Sequence, residues 1–166
     1  MANSENLIAE LEHELVSTGR LLNLVPADNL GWKPHAKAMS LGQLANHVAV
    51  IPVRYLTFAE EGLTDINTLI THHLPKSKQE FLESFKTGSE KAKALLKNVD
   101  DKWLNKTWSL TQNGFTVFTI PTLLFVRLLV LNHLYHHRGQ LSAYLRTLNI
   151  PLPSIYGPSA DENPFA

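Results

Sequence analysis

Four long stretches repeat apolar residues at helical spacing, and this periodicity constrains the chain more than any other property. In the first, Leu7, Ile8, Leu11, Leu15, Leu22 and Val25 fall at intervals of three, four and seven, the stripe of an amphipathic helix, and Pro26 stops it. A turn-rich connection follows, after which Ser40 stands three residues before Gln43 in a capping-box pattern. The second helix starts there, carries Leu44, His47, Ile51, Tyr55 and Phe58 on one face, is expected to kink at Pro52, and ends at Gly62. Ser77 and Glu80 repeat the capping pattern before Phe81, Phe85, Ala92, Leu95, Leu96 and Val99, a third helix ending near Asn98 with Gly88 as its weak point. Trp108 and Leu110 then alternate before Asn113-Gly114, a dipeptide suited to a type I′ turn, and Phe115 and Val117 alternate after it, which predicts a small hairpin. The fourth helix opens around Pro121 and runs to about Leu148, where Asn149 and Pro151 stop it. The expected fold is all-α: a four-helix bundle with loops long enough for a crossover and a small hairpin or loop before the last helix.

At 166 residues the chain is long enough to bury a core unaided and reads as one domain over 1–166. Fifteen basic and fifteen acidic side chains leave a formal net charge of +0, which argues against nucleic acid and anionic membrane as partners. Cysteine is absent, so any thiol chemistry must use a sulfur from outside the chain. The most apolar stretch, Phe115 to Leu131, carries Arg127 and Pro121 and falls short of a membrane span. Met1 to Glu5 lacks a secretory pattern, and a cytoplasmic location is the expectation. The tail, Ser154 to Ala166, either wraps the bundle or meets a partner.

Three of the eight histidines, His133, His136 and His137, fall within five positions near the middle of the most apolar helix. Successive helical residues turn by about 100°, so His133 and His137 lie one turn apart on one face and can converge on one ion. His136 points elsewhere and could share an ion with His133 only if His137 did not. A stable site wants a third ligand, and His47 on the apolar stripe of the second helix is the candidate. Packing alone explains such a group poorly, because each imidazole brings a desolvation cost that leucine avoids. Imidazoles suit Zn, Ni, Fe and Cu alike. The remaining histidines, His13, His35, His72 and His73, read as exposed. Leu134 stands where a zincin peptidase would place its glutamate base, and no Glu lies three residues before His47, His133 or His137, so peptidase and di-iron chemistry are disfavoured in favour of a mononuclear site.

Trp32-Lys33-Pro34, the run Ser40-Leu41-Gly42-Gln43-Leu44-Ala45-Asn46-His47, and Asn132 through Gln140 followed by Leu141 and Tyr144-Leu145-Arg146 together resemble the DinB family of small helical metal-binding proteins. The likeness spans nearly the whole chain. It implies a four-helix bundle with a non-sequential connection, often paired as a homodimer, and a divalent metal, commonly Zn or Ni, held by three histidines. Carried over by position these are His47, His133 and His137, with His136 excluded. Many relatives have Glu where this chain has Leu134; that residue is not a family ligand, so the change leaves coordination intact and removes the acid/base role a carboxylate could play there. Some relatives look like transferases using a small thiol such as bacillithiol, or like mycothiol-dependent isomerases.

An ion held by three neutral imidazoles keeps its full charge and an open position, which lowers the pKa of a bound thiol or water. The leading expectation is therefore a metal-dependent transferase joining a low-molecular-weight thiol to an electrophile. The alternatives are a hydrolase using bound hydroxide and a non-catalytic metal-binding or dimerisation module. Tyr135 and Arg138 receive no catalytic assignment; Arg138 reads as a structural residue holding a buried carboxylate or carbonyl.

Overall fold

In the computed structural model, which describes residues 3–165, the chain is mostly helical and carries a small three-stranded sheet. Met1 and Ala2, at the N-terminus read above, and Ala166, at the end of the tail, lie outside the described residues. The expectation of an all-α chain is thus corrected. The predicted hairpin is present as β2 (Thr107–Gln112) and β3 (Phe115–Pro121), and a third strand, β1 (Leu63–Asp65), pairs in parallel with β2 in the order β1-β2-β3. Asn113 and Gly114 both take positive φ, 51° and 81°, as a type I′ turn requires. Trp108 fixes the sheet on the helices: its ring is buried against Phe125 at a centroid distance of 4.2 Å, and its Nε1 donates to Thr64 Oγ1 of β1 at 3.3 Å.

The helices are α1 (Asn3–Leu24), α2 (Leu41–Glu61), α3 (Ile66–Leu69), α4 (Lys78–Lys97), α5 (Asp101–Leu104), α6 (Thr122–Phe125) and α7 (His133–Thr147), with a 3-10 turn at Ala27–Asn29. The capping box opens α2 as predicted: Gln43 N donates to Ser40 Oγ at 3.2 Å and Ser40 N to Gln43 Oε1 at 3.0 Å. Helix α2 runs through Pro52 without a break, and that ring is buried. At α4 only half of the box forms, because the Glu80 carboxylate passes over Ser77 and accepts from Lys76 N at 2.7 Å, and from His73 Nε2 at 2.7 Å.

Gly88, read above as a weak point of α4, is there for contact. A Cβ at that position would stand 2.9 Å from Val53 Cγ1 of α2, so the glycine lets the two backbones approach. Helices α1 and α2 each pack against both α4 and α7, and their buried leucines join Phe81, Phe125, Val130 and Leu141 in one core.

The fourth predicted helix departs from uniform winding. Between α6 and α7 the segment Val126–Asn132 is π-helical, its bonds closing on the fifth residue rather than the fourth. This wide turn hands the chain to α7 at His133.

Candidate metal centre

His47 lies two turns into α2, in register with buried Leu44, Ile51 and Tyr55, and is itself 2% exposed. His133 and His137 stand one turn apart at the start of α7, half-buried beside core residues Leu134, Leu141 and Leu145. The structure brings the three together. Each offers a ring nitrogen, and these atoms all lie within 4.8 Å of one another. The Nε2 atoms of His47 and His133 face each other at 3.2 Å. Two nitrogens bound at 2.0–2.1 Å to one tetrahedral ion stand about 3.3 Å apart, so the spacing fits a shared cation.

Two flanking contacts arrange these rings. Gln140 Oε1 accepts from His137 Nδ1 at 2.7 Å, which leaves the other ring nitrogen of His137 unprotonated and free to ligate. Tyr55 sets its ring edge-on to His133 at a centroid distance of 5.0 Å. His133 Nδ1 is buried with no hydrogen-bond partner among the described residues. The Leu129 carbonyl one turn back nevertheless lies near enough to favour the protonated ring.

All three imidazoles are held neutral. Burial, then the neighbouring His137 and His133 rings, pushes His47 down from 6.5 to about 2. Burial, followed by His137, lowers His133 to about 4. Burial also lowers His137, against the opposing hydrogen bond that its ring donates to Gln140. A neutral imidazole is the form that ligates a metal, so the group could hold an ion without first losing protons near neutral pH.

The group opens into a cavity of about 270 Å³ lined by His47, Tyr55, Leu69, Ile70, His72, Leu129, His133 and His137. A larger groove of about 560 Å³ by the C-terminal tail is lined by charged groups already engaged, Arg20 with Glu162 and Asp161 with Arg146.

The other histidines divide. His136 is exposed and rests its ring against His137 at 4.8 Å from outside the cavity. His13 and His35 are exposed, as predicted. His72 is exposed too, yet its ring packs edge-on against His47 at 4.8 Å and borders the cavity, a placement that no sequence spacing signals. Gln140 was legible in principle, since His-x-x-Gln on a helix sets the amide one turn from the ring. Leu134 is 0% exposed in the core, so no acid or base stands there.

Arg138 is structural, as expected: 2% exposed, it pairs with Glu14 Oε2 at 2.5 Å and donates to Glu14 O at 3.1 Å. Glu14, between the apolar positions Leu11 and Leu15 of α1, is buried with it. Tyr156 of the tail donates to Glu14 Oε2 at 2.8 Å and accepts from Arg138, so the tail folds back over α1 and α7.

A mostly helical fold with three histidines gathered between two helices defines a class of small proteins whose inter-helix site could hold a metal ion. The chain belongs to the DinB family, whose profile matches residues 1–163. Among its relatives, the uncharacterized protein YrdA of Bacillus subtilis (strain 168) is 26% identical over 165 residues, covering 95% of this chain and 90% of that protein. The fold is shared with crystal structures of DinB-like proteins. YjoA from Bacillus subtilis is 20% identical with a TM-score of 0.70, covering 90% of this chain and 96% of that one. One from Bacillus cereus ATCC 10987 is 22% identical with a TM-score of 0.69, covering 92% and 97%. No helix among the described residues is long and apolar enough to cross a membrane.

Proposed function

We propose that His47, His133 and His137 hold a divalent metal ion, Zn or Ni, and that the protein is a metal-dependent transferase acting with a low-molecular-weight thiol. The observation that carries the metal reading is the 3.2 Å approach of two Nε2 atoms from helices far apart in sequence, with a third imidazole beside them. An ion so held supplies positive charge that lowers the pKa of a thiol brought to it. The chain's own residues do the rest. Gln140 keeps His137 in the ligating tautomer, and Leu69, Ile70 and Leu129 give the cavity apolar walls against which an electrophile's carbon skeleton packs. With no cysteine in the chain, the nucleophilic sulfur comes from a cosubstrate.

The four long helical stretches, in which α1 and α2 each contact α4 and α7, support a single four-helix bundle domain with a non-sequential connection. A homodimeric, cytoplasmic protein accompanies this reading. Metal-loaded protein offered a panel of small thiols and electrophiles is expected to show thiol-dependent turnover that His133→Ala abolishes. Turnover by neither thiol nor water would remove the enzyme reading, and turnover with water alone would make the protein a hydrolase.

A further inference from the structure

The loop between α3 and α4 brings a fourth imidazole to the edge of the three-histidine group, and it is anchored on both sides of that residue. Before it, Arg54 of α2 donates from Nη1 to the Thr71 carbonyl at 2.7 Å and from Nη2 to the Thr68 carbonyl. After it, the His73 ring meets Glu80 Oε1 at 2.7 Å, and Pro75 is buried. Neither anchor uses the ring of His72. That ring stands edge-on to His47 at 4.8 Å, close to the 4.5 Å and 4.9 Å that separate His47 from His137 and His133.

Ring spacing alone would not distinguish His72 from His136, which lies equally near His137. Their placement does. His136 is on the outer face of α7, whereas His72 borders the same cavity as the three clustered rings and also a neighbouring one of about 320 Å³ lined by Asn46, Val50 and Arg54. It is near enough to disfavour protonation of His47, His133 and His137 alike. Arg54 sits two turns along α2 from His47, so one helix carries both a clustered ring and the clamp that presents the loop.

We propose that His72 is a fourth, loop-borne imidazole for the metal held by His47, His133 and His137, presented by the loop that Arg54 clamps and able to withdraw by turning its ring outward. This rests on the metal reading above and adds to it a closed state in which the His72 ring turns inward to join His47, His133 and His137, the three whose nitrogens already lie within 4.8 Å of one another. Both anchors leave the exposed His72 ring unheld and free to change rotamer, so the fourth place is the one a cosubstrate takes.

The test uses full-length untagged protein loaded with Co(II), whose visible spectrum reports ligand type and number. His72→Ala is expected to bind Co(II) roughly tenfold more weakly or worse, to change the spectrum, and to recover the original spectrum on titration with free imidazole. Arg54→Met, which keeps the imidazole and loosens the loop, is expected to shift both readings in the same direction. A His72→Ala protein that matches wild type in affinity and spectrum overturns the fourth ligand while the three-histidine site stands. Wild-type protein that binds no Co(II), or a His47→Ala protein that binds it unchanged, overturns the site itself. Wild type that excludes a small thiol which His72→Ala admits overturns the withdrawal and makes His72 a fixed closure.

Discussion

Gln140 accepts the Nδ1 proton of His137 from one turn further along α7, so the ring is turned and its tautomer chosen before any cation arrives. The amide does not need to touch an ion to govern how well the ring binds one. Gln140→Leu is expected to weaken metal affinity by about 10–100-fold while leaving the thermal unfolding of the metal-free protein nearly unchanged. Chelator competition measures the first and calorimetry the second; unchanged affinity would show that the hydrogen bond does not prepare the ring.

Metal-free protein should lose stability as the medium is acidified. His47 and His133 have folded pKa values of about 2 and about 4 against 6.5 unfolded, so below 6.5 the unfolded chain takes up protons that the folded chain refuses. Stability is complete above 6.5 and declines as pH falls toward the folded values. For His47 alone the loss between pH 6.5 and 5 is about 2 kcal/mol. Urea unfolding of stripped protein across that interval checks it, and His47→Ala should flatten the slope. A pH-independent midpoint would contradict the buried neutral state.

Removing one member of the Arg138 and Glu14 pair leaves the other charge buried, with side-chain exposures of 2% and 6%. Arg138→Met is expected to cost about 3–5 kcal/mol. Tyr156→Phe, which deletes the hydroxyl joining both partners to the tail, should cost about 1 kcal/mol. Denaturant midpoints of the two variants distinguish these outcomes, and comparable small effects would mean that the pair is not the tail's anchor.

Alanine usually improves a helix when it replaces an interior glycine, by about 1 kcal/mol. At Gly88 the opposite is expected. A methyl group there meets Val53 Cγ1 at 2.9 Å, and the β-branched valine has few alternative rotamers, so Gly88→Ala should destabilise by about 1–2 kcal/mol. A raised melting temperature would show that α2 and α4 can separate freely.

The sequence carries those parts of the architecture that local chemistry dictates. Ser40 with Gln43, Gly62, Ser77 and Asn113-Gly114 marked element boundaries because caps and turns depend on residues a few positions apart. His47, His133 and His137 stood out for the same kind of reason, since the energetic cost of an imidazole on an apolar stripe is a local property. Strand β1 escaped notice because three residues, Leu63 to Asp65, are too few to show alternation, and its pairing partner in β2 is distant in sequence. The approach of His72 was equally hidden, since it follows from the path of a loop held by Arg54. The burial of Glu14 leaves no local mark either, because its partner Arg138 lies on another helix, 124 residues away.

The widened winding at Val126–Asn132 gives the aim of α7 a control point that touches neither His133 nor His137. Each residue of ordinary helix advances the face by about 100°. Relaxing these seven residues to regular coiling with none deleted would therefore swing both imidazoles away from His47 while every side chain of the cluster kept its place in the sequence. A change in backbone pitch alone can thus dismantle the three-imidazole group, or aim two of its rings at a different neighbour.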